Sequence, residues 1–225
     1  MATLEGVRRR LDEWRPRIRS TFVIYLTPRP SPIPPERIDE RFTVVTVTDP
    51  ADPLVAWACS SKRQRRIARE AMGTGRWQLT VALDPDGEPA GRLWQSSASE
   101  RDLANGVPRM RLCDDEVLMF DLFIERRHRR SGLAFTLADH YFRLLDPRTT
   151  HVRFVYGFVD FENVASILWH HAAEFQIAQT VNLLEVGPFV KWKLPFSDVP
   201  RFGPMSRRGR HTDPDRDVFG PPLMP

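Results

Sequence analysis

The chain has 225 residues, of which 41% are hydrophobic, and this composition suits a single domain with a substantial core. Its net charge is +4, no segment approaches the roughly 20 apolar residues of a membrane span, and the N-terminus has no apolar run after its charges, so neither a membrane helix nor a secretion signal is expected. The two cysteines, Cys59 and Cys113, lack metal-ligand spacing, which favours a reducing cytoplasm, no bound metal and no disulfide scaffold.

The first half of the sequence predicts strands, helices and a hairpin. Pro28–Pro35 contains five prolines and is expected to be an extended linker inside the domain. Around this linker the predicted elements are, in chain order, a short helix over 4–14, strands over 21–27 and 42–48, a helix over 53–72, and hairpin strands over 77–83 and 90–96. The turn sequence DPDGEP between the last two strands indicates the hairpin.

The second half alternates strands and helices. The predicted elements are an apolar strand over 117–124, a helix from Leu133 to Asp146, a strand over 152–158, a helix over 163–173, and paired strands over 175–185 and 189–194. On the first of these helices the expected buried face is Leu133, Leu137, Tyr141 and Leu144, whereas Asp139, His140 and Arg143 leave that face. The order predicts an α/β protein with a mixed sheet and a central βαβ unit. A single domain is expected over 1–195, with a disordered tail over 196–225 that is rich in Pro, Arg, Gly and Asp.

The most informative segment is the basic turn between the strand over 117–124 and the helix that follows it. The turn contains four arginines, Arg126, Arg127, Arg129 and Arg130, and ends at Gly132. A small residue at position 132 lets the backbone approach a ligand closely, and the first N–H groups of the helix have no intrahelical acceptor. Together with the helix dipole and the arginines, these groups predict a site for an anion such as a pyrophosphate.

Two motifs in this half resemble the GNAT superfamily of acyl-CoA-dependent N-acetyltransferases. The family's pyrophosphate loop, Q/R-x-x-G-x-G/A, is matched by the sequence RRSGLA of Arg129–Ala134, which follows an apolar strand end as in the family. The second motif is Asn163, followed by a short helix and by an aromatic residue, Phe175, twelve positions later. The resemblance covers about residues 116–192.

This resemblance implies a GNAT-like fold in which the strands over 117–124 and 152–158 run parallel and then splay apart. Backbone groups left unpaired by the splay would bind the pantetheine arm of acetyl-CoA, the co-substrate that the family implies. Asn163 fits helix capping equally well. The residues that the resemblance assigns to the co-substrate are Leu122, Phe123, Ile124, Arg129, Arg130, Ser131, Gly132, Leu133, Ala134 and Asn163.

The resemblance also places His170 where the family often has the tyrosine that protonates the leaving thiolate. A histidine suits this role because its usual pKa of about 6.5 lies near neutral pH. For the base that deprotonates the amine, Asp121 ranks ahead of Asp114, Asp115 and Glu116, because a carboxylate within an apolar strand needs a partner or a raised pKa. The alternatives are a core histidine at position 170 and a structural ion pair at position 121.

The sequence therefore favours an enzyme that transfers an acetyl or other acyl group from acetyl-CoA to an amine by direct attack in a ternary complex. Neither cysteine lies in the motif region, which argues against a covalent thiol intermediate. Two alternatives stay open: a non-catalytic acyl-CoA-binding module and, less favoured, a nucleic-acid-binding protein that uses the arginine-rich helix over 62–70 and the C-terminal tail. The sequence does not identify the acceptor, a small-molecule or peptide amine, and it leaves a homodimer open.

Overall fold

One mixed β-sheet forms the centre of the computed structural model, which describes residues 17–26, 33–97, 112–145, 150–186 and 190–194. Within these residues the strands are β1 (Arg17–Leu26), β2 (Thr43–Val47), β3 (Trp77–Leu83), β4 (Pro89–Ser96), β5 (Glu116–Ile124), β6 (Phe154–Asp160), β7 (Gln176–Val186) and β8 (Val190–Leu194). The helices are α1 (Pro53–Trp57), α2 (Lys62–Gly73), α3 (Leu133–Leu144) and α4 (Val164–Ala172), and 3-10 turns lie at Pro35–Arg37 and Arg126–His128. The strand order across the sheet is β2-β3-β4-β5-β6-β1-β7-β8.

The two faces of the sheet pack against different helices, because successive residues of a strand point to opposite faces. In β3, Val81 packs with residues of α1 and α2, whereas its neighbour Ala82 packs with Leu133 and Leu137 of α3. On the α3 side the core continues across β6 to the end of α4. Strand β5 is therefore held between α2 on one face and α3 on the other.

Strands β5 and β6 are the parallel pair among the described strands, and the other pairs are antiparallel. Their ladder is short, since it runs only from Glu116 opposite Phe154 to Leu118 opposite Tyr156. Beyond these residues β5 continues beside β4, and β6 continues beside β1. The predicted splay of two parallel strands is thus confirmed.

The N-terminal strand β1 lies between β6 and β7 and is antiparallel to both. The sequence predicts a strand here but does not predict its neighbours, because a local pattern carries no information about pairing over more than 100 residues. The predicted pairing of the two C-terminal strands is confirmed, since Asn182–Val186 of β7 pairs with Val190–Leu194 of β8.

The helix predicted over 53–72 is in fact two helices. The side chain of Asp52 accepts a hydrogen bond from the N–H of Leu54 and begins α1, and the side chain of Ser61 accepts one from Gln64 and begins α2. Both residues are favoured N-caps because their side-chain oxygens satisfy N–H groups that the first turn leaves free. The second cap therefore marks a helix start that the hydrophobic pattern does not indicate.

The predicted burial of α3 is correct at its start and wrong at its end. Leu144 is 41% exposed, whereas Leu145 is buried, because the buried face passes from Tyr141 to the residue four positions later. Asp139 is also buried rather than exposed, and its carboxylate accepts a hydrogen bond from Nε of Arg143 at 2.6 Å.

The structure describes the predicted proline-rich linker only from Ile33, which is a buried core residue. The predicted helix over 4–14 and the tail over 196–225 lie outside the described residues, so the limits of the domain stay predictions. No helix in the described part of the chain is long and apolar enough to cross a membrane.

Candidate functional site

A β-bulge bends β5 just beyond its last contact with β6. Leu93 of β4 lies opposite two residues of β5, Asp121 and Leu122, and Asp121 adopts a left-handed φ of 52°. A bulge leaves one residue unpaired and turns the strand locally. After it, Leu122 and Ile124 pack on the α3 side of the sheet, whereas Phe123 lies beneath the guanidinium of Arg92 on the opposite side.

Within the described part of the chain, the residues of β5 after the bulge pair on one edge only. Phe123 and Ile124 lie opposite Arg92 and Gly91 of β4, but on the other edge the β6 ladder has already ended at Leu118. The backbone groups on that open edge can bind an extended ligand as a further strand would. The structure thus brings the predicted residues 122–124 to the open side of the splay.

The loop after β5 combines two left-handed residues with unpaired N–H groups at the start of α3. Arg130 has a φ of 71° and Gly132, the N-cap of α3, has a φ of 84°. Among the described residues no acceptor is found for the backbone N–H groups of Arg130, Gly132, Leu133 and Ala134. Unpaired N–H groups in left-handed turns and at helix starts form concave sites for anions. The loop thus presents backbone N–H groups without a described acceptor at the position where the sequence predicts an anion site.

The four arginines of the loop differ in their partners. Nη2 of Arg127 donates to the buried carboxylate of Asp84 in the β3–β4 turn at 2.9 Å, so its charge is neutralised within the fold. Nε of Arg129 donates to the carbonyl of Ile124 at 3.3 Å. Arg126 and Arg130 are exposed and form no ion pair with any described residue. Two of the four predicted cations are thus unpaired and available to a ligand.

Gly132 is required for a reason that the sequence does not show. A Cβ at this position would lie only 2.7 Å from the carbonyl oxygen of Arg37, far closer than such contacts allow. The backbone of Arg37 thus gives a second reason for a glycine here, beside the ligand approach that the sequence predicts. Beside this contact lies an open cavity of about 670 Å³ lined by 35–41, 130–132 and Phe135.

Asn163 caps α4, because its side-chain Oδ1 accepts a hydrogen bond from the N–H of Ser166 at 3.1 Å. This is the capping role that the sequence leaves open beside a ligand contact. Asn163 is exposed, so its side chain also remains accessible from solvent.

His170 is buried in the helical layer rather than exposed to solvent. Its ring makes edge contacts with Trp169 and Phe175, with ring centroids 4.5 and 5.0 Å apart. Nδ1 lies 2.7 Å from the carbonyl oxygen of Ser166, and since a carbonyl only accepts, Nδ1 carries the proton. Burial lowers the pKa of His170 from 6.5 to about 4, so the ring is neutral at neutral pH. The expectation of a pKa near 6.5 is therefore corrected.

Asp121 has the arginine partner that the sequence offers as an alternative. It is exposed at the bulge, and its Oδ2 accepts a hydrogen bond from Nε of Arg92 at 3.2 Å. The guanidinium of Arg92 also lies over the rings of Phe123 and Trp57, 4.4 and 5.7 Å from their centroids. The carboxylate is thus oriented toward one cation and remains open to solvent, unlike the buried charge that the apolar strand suggests.

Two solved structures are similar to this fold. A GCN5-related N-acetyltransferase from Sphaerobacter thermophilus aligns over 88% of this chain and 59% of its own, with 17% identity and a TM-score of 0.52. A tandem GNAT protein from the clavulanic acid biosynthesis pathway aligns over 71% of this chain and 50% of its own, with 18% identity and a TM-score of 0.51. The chain has the GNAT fold.

No protein-family model and no curated protein matches the sequence of the chain. The chain also spans only 50% and 59% of the lengths of these two proteins, so the likeness concerns the GNAT fold and not a whole enzyme.

The GNAT fold of this chain contains a buried acidic residue that sequence reasoning ranked low. Glu116 is 1% exposed at the start of β5, where its carboxylate accepts hydrogen bonds from the N–H of Cys113 at 2.7 Å and the hydroxyl of Tyr156 at 3.3 Å. Tyr156 is the last residue of β6 in the ladder with β5, where the splay begins, whereas Glu116 is at the first pair of that ladder. Cys113, Asp115 and Glu116 offer ligand atoms within 4.8 Å of one another, in contrast to the lack of metal-type spacing in the sequence.

Proposed function

We propose that this protein is an N-acyltransferase that transfers an acetyl or other acyl group from acetyl-CoA to an amine by direct attack in a ternary complex. The observation that carries the proposal is the combination of the β5–β6 splay with the unpaired N–H groups of the loop that follows β5. An open strand edge suits the amide groups of pantetheine, and an anion loop beside it suits the pyrophosphate.

In this proposal the chain's own backbone binds most of the co-substrate. The open edge of β5 over Leu122–Ile124 would pair with pantetheine, and the N–H groups within Arg129–Ala134 would bind the phosphate oxygens. The side chains of Arg126 and Arg130 add positive charge, and neither has to break an ion pair with another described residue to bind phosphate. Asn163, at the start of α4, would contact the arm from the other side of the splay while it caps the helix.

Asp121 is the proposed base, acting directly or through water on the ammonium form of the acceptor. Its position on the bulge places it at the bend of β5, beside the edge proposed for pantetheine, and its exposure leaves it accessible to an amine. The ion pair with Arg92 orients the carboxylate at the bulge.

His170 is proposed to donate a proton to the leaving thiolate, which it can do only when its ring is protonated. In the neutral ring the single N–H is held by the Ser166 carbonyl, so Nε2 cannot donate unless the ring is protonated. Negative charge that develops on a departing thiolate would raise the low pKa of the ring and favour that protonated form. A thiol relay is disfavoured because Cys59 is buried and its pKa is raised.

The decisive experiment combines binding and turnover with the purified protein. Calorimetry measures CoA affinity, and acetyl-CoA consumption with a panel of amines is followed by the release of free thiol. We expect CoA binding and thiol release that depends on one class of amine. Arg130→Ala should weaken CoA binding more than Arg63→Ala on the exposed side of α2, which removes the same charge away from the loop. Absence of CoA binding would refute the proposal.

A second candidate is a non-catalytic acyl-CoA-binding module. It is favoured by the low pKa of His170 and by the engagement of Asp121 with Arg92, since both reduce the number of groups ready for proton transfer. A non-catalytic module would bind CoA with an affinity similar to that of the proposed enzyme. It would show no amine-dependent thiol release with any member of the panel.

A further inference from the structure

The segment 33–42 lies across the anion loop and is here called the strap. It is ordered by its own core contacts, since Ile33 and Phe42 are buried and Ile38 packs against the main core. Between these anchors its residues 35–41 line one side of the cavity, and residues 130–132 of the loop line the other. A ligand bound to the loop in this cavity would therefore contact the strap as well.

The loop is held only in part by its own hydrogen bonds. The N–H of His128 donates to the carbonyl of Glu125 at 2.9 Å and Oγ of Ser131 donates to the carbonyl of His128 at 2.8 Å, but the N–H groups of Arg129 and Ser131 make long bonds of 3.4 Å to Arg126 and His128. A non-glycine residue at a positive φ, as at Arg130, adds backbone strain. Such a conformation persists only where the surrounding structure holds it.

The strap contacts the loop and the first turn of α3 at three places. The carbonyl of Arg37 lies against Gly132, the N–H of Asp39 donates to Oγ1 of Thr136 at 2.8 Å, and the ring of Phe42 makes an edge contact with His128, 5.2 Å between centroids. Thr136 is 6% exposed, so this hydrogen bond is shielded from water. In the chain, these contacts therefore lie before Gly132, at Gly132 and after it.

The strap is also fixed to α4 on the far side of the loop. Nη1 of Arg37 donates to the carbonyl of Ala172, in the last turn of α4, at 3.0 Å, and its guanidinium lies 5.4 Å from the ring centroid of Phe135. A cation at the C-terminal end of a helix is favoured by the helix dipole. The single residue Arg37 thus contacts α3, α4 and the loop.

We propose that the strap is a positioning element for the anion loop, and that Arg37 and the Asp39–Thr136 hydrogen bond hold residues 129–134 in the geometry that the CoA pyrophosphate requires. This inference rests on the proposed function. Arg37 and Thr136 act through the loop, so they are positioning residues and touch no reacting atom. The role differs from a direct ionic contact, because Thr136 carries no charge and its hydrogen bond is internal to the protein.

Two variants test the proposal in the full-length protein. Arg37→Ala removes the anchor on α4, and Thr136→Val removes the acceptor of the Asp39 N–H while it keeps shape and charge. Arg63→Ala on the exposed side of α2 is the matched control for the loss of one positive charge. Trypsin cleavage within 126–130, located by mass spectrometry, reports opening of the loop in the free protein. Calorimetry with CoA reports binding, and thermal melting shows that each variant folds.

We expect both variants to raise the Kd for CoA about fivefold and to accelerate cleavage of the loop by a similar factor, as the loss of one hydrogen bond implies, while Arg63→Ala changes neither. A direct charge contact instead predicts an effect of Arg37→Ala alone and would overturn the proposal. The proposal would also be overturned if the loop of either variant were cleaved faster while its affinity for CoA stayed the same. The same holds if either variant bound CoA more tightly than the wild type. If the wild-type protein does not bind CoA, the proposed function fails, and the inference that rests on it falls with it, whereas equal cleavage in all proteins contradicts only the positioning role.

Discussion

His170 and Ser166 are joined within one turn of α4 by a hydrogen bond from the ring Nδ1 to the backbone carbonyl, with an N···O distance of 2.7 Å. The bond fixes which ring nitrogen carries the proton, and burial keeps the ring neutral. The same imidazole that the family resemblance assigns to proton transfer is therefore also part of the aromatic packing with Trp169 and Phe175.

The low pKa of His170 predicts a stability that depends on pH. The folded protein has a pKa of about 4 at this ring and the unfolded chain about 6.5, so between these values the unfolded chain binds the proton more readily. The contribution of the neutral ring to the free energy of unfolding is thus fully present above pH 6.5. As the pH falls toward 4, this free energy should decrease by roughly 3 kcal/mol. Urea unfolding of the wild type and of His170→Phe from pH 7 to pH 4 measures the difference.

His171 provides the control for that experiment. It is the next residue of α4 and is exposed, so His171→Phe should leave the pH dependence of the wild type unchanged. If the wild type and His170→Phe lose stability in parallel as the pH falls, the pKa of His170 is not lowered in the folded protein.

The contact between Gly132 and Arg37 predicts a cost for any side chain at position 132. A left-handed φ of 84° alone costs an alanine about 1 to 2 kcal/mol, and the Cβ would also lie 2.7 Å from the carbonyl oxygen of Arg37. Gly87 in the β3–β4 turn has nearly the same φ, 82°, but nothing lies within 4 Å of its Cβ position. Gly132→Ala should therefore lower the free energy of unfolding more than Gly87→Ala does. Equal losses in urea unfolding would refute the close contact with the strap.

Capping by Asn163 predicts a moderate loss of stability when its side chain is shortened. Asn163→Ala removes the acceptor for the N–H of Ser166 and should cost about 1 kcal/mol, whereas Asn163→Asp keeps an acceptor and should cost less. Chemical denaturation measures the stability of both variants. CoA affinity, measured on the same proteins, separates the two roles of this residue: an effect on binding in Asn163→Asp as well as in Asn163→Ala would indicate a contact beyond capping.

The part of the site that the sequence predicts is the part built from neighbouring residues. The apolar run of β5, the basic turn and Gly132 follow one another in the chain, and their local conformations are set by residue type. The splay of β5 from β6 follows from the family resemblance and is confirmed in the register of the ladder.

The features that the sequence does not predict all depend on residues far apart in the chain. Arg127 is neutralised by Asp84, 43 positions earlier, and nothing in the basic turn distinguishes it from Arg126. The strap reaches the loop across about 95 residues, so the reason for Gly132 is invisible until Arg37 is placed beside it. The pKa of His170 likewise depends on burial, which the helical pattern alone does not quantify.

Asp121 supports the prediction that most directly tests acyl transfer. Asparagine tolerates the left-handed φ of 52° at the bulge and keeps an oxygen for Arg92, so Asp121→Asn removes the charge with little change of shape. If Asp121 accepts the proton of the amine, kcat/KM should fall about 100-fold at neutral pH while the Kd for CoA stays within twofold. Asp114→Asn is the control, because Asp114 is exposed in the turn before β5 and lies at the opposite end of the strand. An Asp121→Asn protein that releases thiol as fast as the wild type would exclude this carboxylate as the base and direct attention to Glu116, whose buried carboxylate accepts a hydrogen bond from Tyr156, the last β6 residue of the parallel ladder.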